Sequence, residues 1–176
     1  MTKIIYSFDE IIIAKNNPLI LCDIDDTILR FNYNLVHFYN EAKILYPKAS
    51  DNELFNRANN DFYIYRILNR PFHTDLDGFN NLCERTQQVN GELMFITARS
   101  HFAEDTTKKQ FKTIGIDYNK FKIHYLSNTI SKGDYIKKNI NLEGREEIIF
   151  IDDQDYNLDN VKNILPQIKC YKFVYE

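Results

Sequence analysis

The stretch LILCDIDDT at residues 19–27 decides the fold, because an apolar run passes directly into a set of aspartates. A short, unbroken apolar run is typical of a strand that is buried on both faces of a parallel sheet. Within an extended stretch, Asp23 and Asp25 point to the same side. Residues 19–24 are therefore predicted to form a buried strand whose carboxyl end presents carboxylates.

The same strand pattern recurs along the chain, with helical patterns in between. Further buried strands are predicted at residues 92–97, 121–126, 147–152 and 168–175. Helices are predicted at residues 75–89, 101–115, 131–139 and 157–165. Alternating strands and helices indicate an α/β fold, in which helices cover both faces of a mostly parallel sheet. We therefore expect a Rossmann-like, three-layer architecture.

Two further helical segments lie outside this alternation. Residues 7–15 are predicted to form a short helix, because Ser7 followed three residues later by Glu10 makes a capping box. Residues 33–69 are predicted to form two helices that are separated near Pro47. This second segment is rich in aromatic residues and lies between the first two predicted strands of the sheet.

The composition is that of an ordinary globular protein. Of its 176 residues, 44% are hydrophobic and 27% are charged, which excludes a disordered chain. The 22 Lys and Arg residues against 25 Asp and Glu give a net charge of −3, so bulk charge does not predict binding to duplex nucleic acid or an anionic membrane. No apolar stretch approaches the roughly 20 residues that span a bilayer, and the three cysteines are widely spaced. We therefore expect a cytoplasmic protein without a membrane partner.

Polar residues follow three of the predicted strands at the point where each strand ends. They are Asp23, Asp25 and Asp26; Thr97 and Arg99; and Asp152, Asp153 and Asp155. Ligands of such sheets bind beyond the carboxyl ends of the strands, so we expect these groups to converge on one site. Crowded carboxylates repel one another, and a proton or a cation must compensate. An all-oxygen set of ligands favours a hard ion such as Mg²⁺.

A carboxylate site that holds Mg²⁺ is suited to phosphoryl transfer. An ionised aspartate can attack phosphorus and form an aspartyl-phosphate, which water then hydrolyses. A second carboxylate two residues further on can protonate the leaving group and later deprotonate the water. Thr97 and Lys132 are candidates for holding the phosphoryl oxygens. Arg99, beside Thr97, is a candidate substrate contact, with a surface ion pair as the alternative.

Four segments together resemble the motifs of the haloacid dehalogenase (HAD) superfamily, and they occur in the order of that family. They are DIDDT (23–27), FITAR (95–99), SKG (131–133) and IDD (151–153), the last with Asn157 four residues beyond its second aspartate. The resemblance implies an α/β core that carries the site at the strand ends. It covers residues 19–157, which is most of the chain.

The resemblance implies a metal site and a nucleophile. Asp23 would be the nucleophile and a metal ligand. Asp25 would be the general acid and base, with its backbone carbonyl also on the metal. Asp152 would ligate Mg²⁺, directly or through water, with Asp153 in support.

The resemblance also implies how a phosphorylated substrate is held. Thr97 and Lys132 would bind the phosphoryl group, and Lys132 would also orient Asp23. An aspartate at position 25, rather than a neutral residue, favours a phosphatase or phosphotransferase over the dehalogenase and P-type ATPase branches of the superfamily.

The segment at residues 31–72 lies where this family places a C1 cap, a helical lid over the active site. The resemblance thus divides the chain into a core at residues 1–30 and 73–176 and a small helical cap at 31–72. The cap contains ten aromatic residues. They either contact an organic leaving group, such as a nucleobase, or pack the core of the cap itself.

These features predict a Mg²⁺-dependent phosphomonoester hydrolase that acts on a small soluble substrate. One alternative is a nucleic-acid 3′-end phosphatase, which requires a basic groove with stacking aromatics. The lysine pairs at 108–109 and 137–138 supply little positive charge for such a groove. A second alternative is a non-catalytic phosphate-binding module, although no catalytic position of the four motifs is substituted.

Overall fold

Strands and helices alternate along most of the chain, as the sequence predicts. The structure is a computed structural model, and it describes residues 2–127 and 129–175. The strands are β1 (Lys3–Ile5), β2 (Pro18–Cys22), β3 (Leu29–Arg30), β4 (Phe72–His73), β5 (Glu92–Thr97), β6 (Lys122–Tyr125), β7 (Glu147–Asp152) and β8 (Lys169–Phe173). The α-helices are α1 (Leu35–Leu45), α2 (Asp51–Leu68), α3 (Leu76–Gln88), α4 (Glu104–Thr113), α5 (Lys132–Asn139) and α6 (Asp155–Ile164). The predicted α/β fold is confirmed.

Six strands form one sheet in the order β1-β8-β7-β2-β5-β6, and every neighbouring pair is parallel. From β2 the chain adds β5 and β6 on one side, and it then returns to place β7 on the other side of β2. The strand order therefore reverses between β2 and β7, where Cys22 lies opposite Ile151. Sheets of this type bind ligands beyond the carboxyl ends of the strands at such a reversal.

The sheet is buried on both faces because alternate residues of its strands enter two different cores. Ile20 and Cys22 of β2 belong to a core that also contains Phe79 of α3 and Phe111 of α4. The intervening residues Leu19 and Leu21 belong to a second core, formed with residues of α5 and α6. All five residues of β2 are buried. This arrangement explains the unbroken apolar run that identified the strand in the sequence.

The amino-terminal segment departs from the sequence prediction. The capping box of Ser7 and Glu10 is present, but it caps only a 3₁₀ turn at Phe8–Glu10, so the helix predicted over residues 7–15 is wrong beyond Glu10. The Asp75 carboxylate accepts hydrogen bonds from the Ser7 hydroxyl at 2.7 Å and from the Phe8 N–H at 2.9 Å. These contacts tie the 3₁₀ turn to Asp75. The backbone is extended at Ile11, so the turn does not continue as a helix. The short strand β1 was not predicted.

A second compact unit, the helical insert, spans Arg30–Phe72. It contains α1 and α2, and Ser50 and Glu53 form a capping box at the start of α2. Several of its aromatic rings contact one another: the Phe38 ring lies 5.7 Å from that of Phe62 and 5.3 Å from that of Tyr65. Part of the aromatic content therefore packs the insert itself. The paired strands β3 and β4 lie where the chain enters and leaves the insert.

No described helix combines the length and the apolar character that a membrane span requires.

Candidate active site

Three carboxylates meet beyond the carboxyl ends of the two central strands. Asp23 follows β2 directly, and its backbone N–H donates to the Ile151 carbonyl of β7 at 2.9 Å. Asp152 is the last residue of β7, and Asp153 follows it. Asp23, Asp152 and Asp153 each present an oxygen atom, and these oxygens lie within 4.8 Å of one another. We call these three residues the acidic cluster.

One lysine lies between two members of the acidic cluster. The Lys132 ammonium donates to Asp23 Oδ1, and to Asp152 Oδ2 at 2.7 Å. Lys132 is the first residue of α5, whose amino end is capped by the Ser131 hydroxyl. Burial alone would lower the pKa of Lys132, but the two carboxylates outweigh it and raise that pKa. A fixed positive charge therefore lies beside Asp23.

Asp152 is oriented by several donors. Its Oδ1 accepts from the Gln154 N–H at 2.8 Å, and both of its oxygens lie 3.1 Å from the side-chain nitrogen of Asn157. Asn157 lies on α6, and the sequence motif places it there. Asp152 is fully buried. A buried carboxylate with these partners has a single well-defined orientation.

The charges of the acidic cluster are not balanced by Lys132 alone. Burial raises the pKa of Asp23 well above its ordinary value, and the charges of Asp152 and Asp153 add to the effect, while Lys132 opposes it. Burial and the neighbouring carboxylates of Asp152 and Asp26 raise the pKa of Asp153 to about 7. Surplus negative charge of this kind is relieved by a proton or a cation. Three carboxylates whose oxygens converge could hold a hard divalent cation.

The Asp25 carboxylate lies outside the acidic cluster and is held by Arg99. Arg99 Nε donates to Asp25 Oδ2 at 2.9 Å, and Nη2 donates to Oδ1 at 2.7 Å. Burial would lower the pKa of Arg99, but the Asp25 carboxylate raises it. Arg99 was predicted to contact substrate, with a surface ion pair as the alternative; the structure shows an ion pair whose arginine is buried, and the substrate contact stays a prediction. The predicted metal contact of Asp25 goes through its backbone carbonyl and stays a prediction.

Thr97 ends β5, on the same edge of the sheet as Asp23. The register places Phe95 opposite Cys22, so Thr97 and Asp23 both lie just beyond this pair. Thr97 is fully buried, and its hydroxyl accepts the backbone N–H of Arg99 at 3.2 Å. The structure thus brings Thr97 to the edge where the acidic cluster lies. That Thr97 and Lys132 bind a phosphoryl group remains a prediction.

Two residues of this region were not predicted from the sequence, namely Thr107 and Gln110 of α4. Both are buried, and both accept hydrogen bonds from Arg99 Nη1, at 2.8 Å and 2.7 Å. They occupy the buried stripe of the helix together with Phe111. The sequence did contain a signal for them, since both lie at the helical spacing of the buried face. A buried polar side chain requires a hydrogen-bond partner, so two of them on this face indicate a buried polar contact.

The same fold occurs in solved structures. A protein from Thermotoga maritima, provisionally described as a beta-phosphoglucomutase, superimposes with a TM-score of 0.54 over 90% of this chain and 86% of its own, at 10% sequence identity. The chain has a haloacid-dehalogenase-like fold. A chain of the Pnkp1/Rnl/Hen1 complex superimposes with a TM-score of 0.51 over 91% of this chain, at 12% identity, and the match spans 47% of that longer chain.

No protein-family model matches the sequence, and no curated protein sequence matches it. The fold that the four motifs imply is therefore confirmed by the structural comparison rather than by sequence similarity. Sequence identities of 10% and 12% carry information on the fold alone.

Proposed function

We propose that this protein is a Mg²⁺-dependent phosphomonoester hydrolase that works through an aspartyl-phosphate intermediate. The observation that carries the proposal is the environment of Asp23. Its carboxylate is buried at the reversal of strand order, and it accepts a hydrogen bond from Lys132 beside two further carboxylates. The ionised form of this carboxylate is the nucleophile, and the Lys132 ammonium favours that form against burial and the neighbouring carboxylates.

The first half of the reaction transfers the phosphoryl group to the protein. An Asp23 oxygen attacks the phosphorus, and the bond from phosphorus to the leaving oxygen breaks. Asp25, two residues away, donates its proton to the leaving oxygen, so that the product departs as an alcohol. Lys132 and Thr97 donate hydrogen bonds to the phosphoryl oxygens, on which negative charge is concentrated.

The second half returns the protein to its starting state. Asp25 is now a carboxylate, and it accepts a proton from a water molecule that attacks the phosphorus. The bond between phosphorus and Asp23 breaks, inorganic phosphate leaves, and Asp23 becomes a carboxylate again. The lysine that contacts both Asp23 and Asp152 is present throughout and keeps the departing carboxylate charged.

The acidic cluster fits the metal that this chemistry requires. Asp23, Asp152 and Asp153 would hold Mg²⁺ through carboxylate oxygens, since their oxygens converge and one lysine leaves them with surplus negative charge. When bound, the ion supplies positive charge between the attacking carboxylate and the phosphoryl group.

We further propose that the helical insert, taken by itself, has the composition of a surface that binds anionic aromatic compounds. It contains six Lys or Arg residues against four Asp or Glu, while the protein as a whole carries a net charge of −3. It also presents aromatic side chains, of which Tyr33 and Tyr63 are about half exposed. This combination favours a nucleotide or another anionic aromatic compound. It also makes a single-stranded 3′-phosphate end the second candidate.

The test is hydrolysis of p-nitrophenyl phosphate with Mg²⁺, with EDTA, and by the variant Asp23→Asn. We expect release of p-nitrophenol that requires Mg²⁺ and is lost in Asp23→Asn, which has nearly the same shape but no nucleophilic charge. Equal rates for the protein and Asp23→Asn across metals and pH would contradict the proposal and favour a non-catalytic phosphate-binding module.

Substrate class is tested separately, with a panel of phosphorylated metabolites, nucleotides and a single-stranded 3′-phosphate oligonucleotide. The small-molecule assignment predicts the highest kcat/KM for a nucleotide or metabolite. An oligonucleotide that is turned over faster than every small compound would establish the second candidate instead.

A further inference from the structure

The carboxylate of Asp25 is held by one guanidinium through two parallel hydrogen bonds. Arg99 Nε and Nη2 donate to different oxygens of Asp25, at 2.9 Å and 2.7 Å. Paired bonds of this kind fix the plane of a carboxylate as well as its position. The Asp25 side chain retains 24% exposure, while that of Arg99 has 2%. Arg99 therefore holds Asp25 from the protein interior, while part of the Asp25 side chain is exposed.

The guanidinium is itself fixed, by a helix that carries none of the four sequence motifs. Nη1 of Arg99 donates to Thr107 Oγ1 at 2.8 Å and to Gln110 Oε1 at 2.7 Å. Both residues lie on α4, and the Thr107 hydroxyl donates in turn to the Ala103 carbonyl at 2.9 Å. A chain of buried contacts thus runs from α4 through Arg99 to Asp25.

Every nitrogen of the Arg99 guanidinium has a protein acceptor. These bonds engage four of the five N–H groups of the guanidinium, so a two-bond contact with a substrate phosphate would require at least one of them to break and would leave a buried polar group without its partner. Because its hydrogen bonds are directed to Asp25, Thr107 and Gln110, we expect Arg99 to act through Asp25.

We propose that Arg99 is a positioning residue, which sets the orientation of the Asp25 carboxylate for proton transfer to the leaving oxygen. The inference rests on the proposed function, in which Asp25 is the general acid and base. It replaces the direct substrate contact that the sequence predicts for Arg99. Proton transfer depends steeply on such placement, since a displacement of about 1 Å can slow a reaction about a hundredfold.

Arg99→Lys is the informative variant. It keeps the positive charge, but a single ammonium cannot hold two carboxylate oxygens in one plane and also reach Thr107 and Gln110. The assay compares p-nitrophenyl phosphate with phenyl phosphate, which differ in one substituent and in how much protonation the departing phenolate needs. We expect kcat to fall about a hundredfold for phenyl phosphate and about tenfold or less for p-nitrophenyl phosphate, with KM nearly unchanged.

Two further variants separate positioning from folding. Arg145→Lys is the matched control, because Arg145 pairs with Glu92 and Asn17 in another partly buried ion pair; it should leave both rates unchanged. Thr107→Val removes one acceptor of Arg99 with little change of shape. It should also lower kcat more for phenyl phosphate than for p-nitrophenyl phosphate, but by a smaller factor than Arg99→Lys. If Arg99→Lys folds poorly, Thr107→Val is the variant that tests the inference.

The double variant Asp25→Asn with Arg99→Lys shows through which residue Arg99 acts. If Arg99 acts through Asp25, the second substitution adds almost nothing to the loss caused by the first. Independent, multiplying losses would overturn the inference. So would an equal loss for the two substrates, or a raised KM with unchanged kcat, which indicates a substrate contact. If the unaltered protein hydrolyses neither substrate with Mg²⁺, the proposed function fails, and the inference fails with it.

Discussion

The two ends of the central sheet both carry acidic residues, but only one end balances them. At the amino ends of the strands, Glu92 of β5 pairs with Arg145, and Glu147 of β7 pairs with Lys169. At the carboxyl ends, four carboxylates share two cations among the described residues. These groups are Asp23, Asp25, Asp152 and Asp153 with Lys132 and Arg99.

This difference separates charges that hold the fold together from charges that prepare it for a ligand. Glu147 accepts hydrogen bonds from Lys169 and from the backbone N–H groups of Ala14 and Lys15, so it joins an otherwise irregular segment to β7. Nothing further is needed to compensate it. The acidic cluster has no comparable balance, and its raised pKa values are the electrostatic consequence. An uncompensated cluster at a strand-order reversal is where we expect a cation and an anionic substrate.

The largest expected effect is that of Asp25→Asn at the unbalanced end. Removing the general acid and base should lower kcat by about 10² to 10⁴-fold, the range that such catalysis provides. Binding of beryllofluoride in the presence of Mg²⁺ should persist, because Asp23 and Lys132 are intact. Steady-state rates and analogue titration of the same preparation measure both quantities. Turnover close to that of the unaltered protein would refute the assignment of Asp25.

Lys132→Ala should weaken the binding of a phosphate analogue. A hydrogen bond to a charged group contributes about 1.5–3 kcal/mol, which corresponds to a loss of affinity of roughly ten- to a hundredfold. Vanadate or beryllofluoride titration measures this loss. Lys169→Ala, which removes a lysine from the balanced end, should bind the analogue with unchanged affinity. If Lys132→Ala retains full affinity, Lys132 does not belong to the site.

Glu147→Gln is expected to act on stability and not on turnover. The neutral amide loses the ionic contact with Lys169 and weakens the bonds from Ala14 and Lys15, so the free energy of unfolding should fall by about 1.5–3 kcal/mol. Urea unfolding measures this change, while kcat should stay within about twofold of its original value. Glu143→Gln, at an exposed position, is the control for a surface charge change. A large loss of turnover in folded Glu147→Gln would remove the distinction between the two ends.

The two ends are also expected to differ in the sign of their pH dependence. The pKa of Asp153 is raised from its ordinary 3.8 to about 7, so the folded protein holds a proton that the unfolded chain has already lost. In the absence of metal, this lowers the free energy of unfolding as the pH rises from about 4 to about 7. The pKa of Glu147 is lowered by its hydrogen bonds, which outweigh the effect of burial. Its contribution is present above pH 4.5 and is lost as the pH falls through its folded-state pKa.

Urea unfolding with EDTA between pH 4 and 7.5 measures these slopes. As the pH rises, the free energy of unfolding of Asp153→Asn should increase relative to that of the unaltered protein. As the pH falls, the difference in free energy of unfolding between Glu147→Gln and the unaltered protein should become smaller. Parallel curves for all three proteins would contradict both assignments.

The strands that form the site were predictable because their information is local. An unbroken apolar run identifies β2, β5 and β7, and the parallel arrangement brings their carboxyl ends to one edge. Asp23 after β2 and the aspartates at the end of β7 therefore lie together, as the sequence indicates, and the fold resemblance rested on the same segments. Helix starts such as that of α5, with Ser131 as its cap, are equally local.

The features that sequence analysis missed depend on distant partners. β1 contains three residues and is defined by its pairing with β8, near the other end of the chain, so its own pattern carries too little information. The capping box of Ser7 and Glu10 is a correct local signal, but contacts with Asp75 hold this turn in place and the chain is extended from Ile11. For Arg99 the sequence offered a substrate contact or a surface ion pair, and it did not indicate the two acceptors on α4 that hold the guanidinium. In each case contacts with residues distant in the sequence, rather than local sequence preference, determine the structure.

The backbone hydrogen bond from the Asp23 N–H to Ile151 has a consequence for hydrogen exchange. Reactive residues are often found on mobile loops, whereas this amide belongs to the contact between the two central strands. Deuterium can reach it only when β2 and β7 separate, so its uptake should be as slow as that of the most protected amides in the protein. The carboxylate that we propose as the nucleophile would thus be anchored to a part of the molecule that opens slowly.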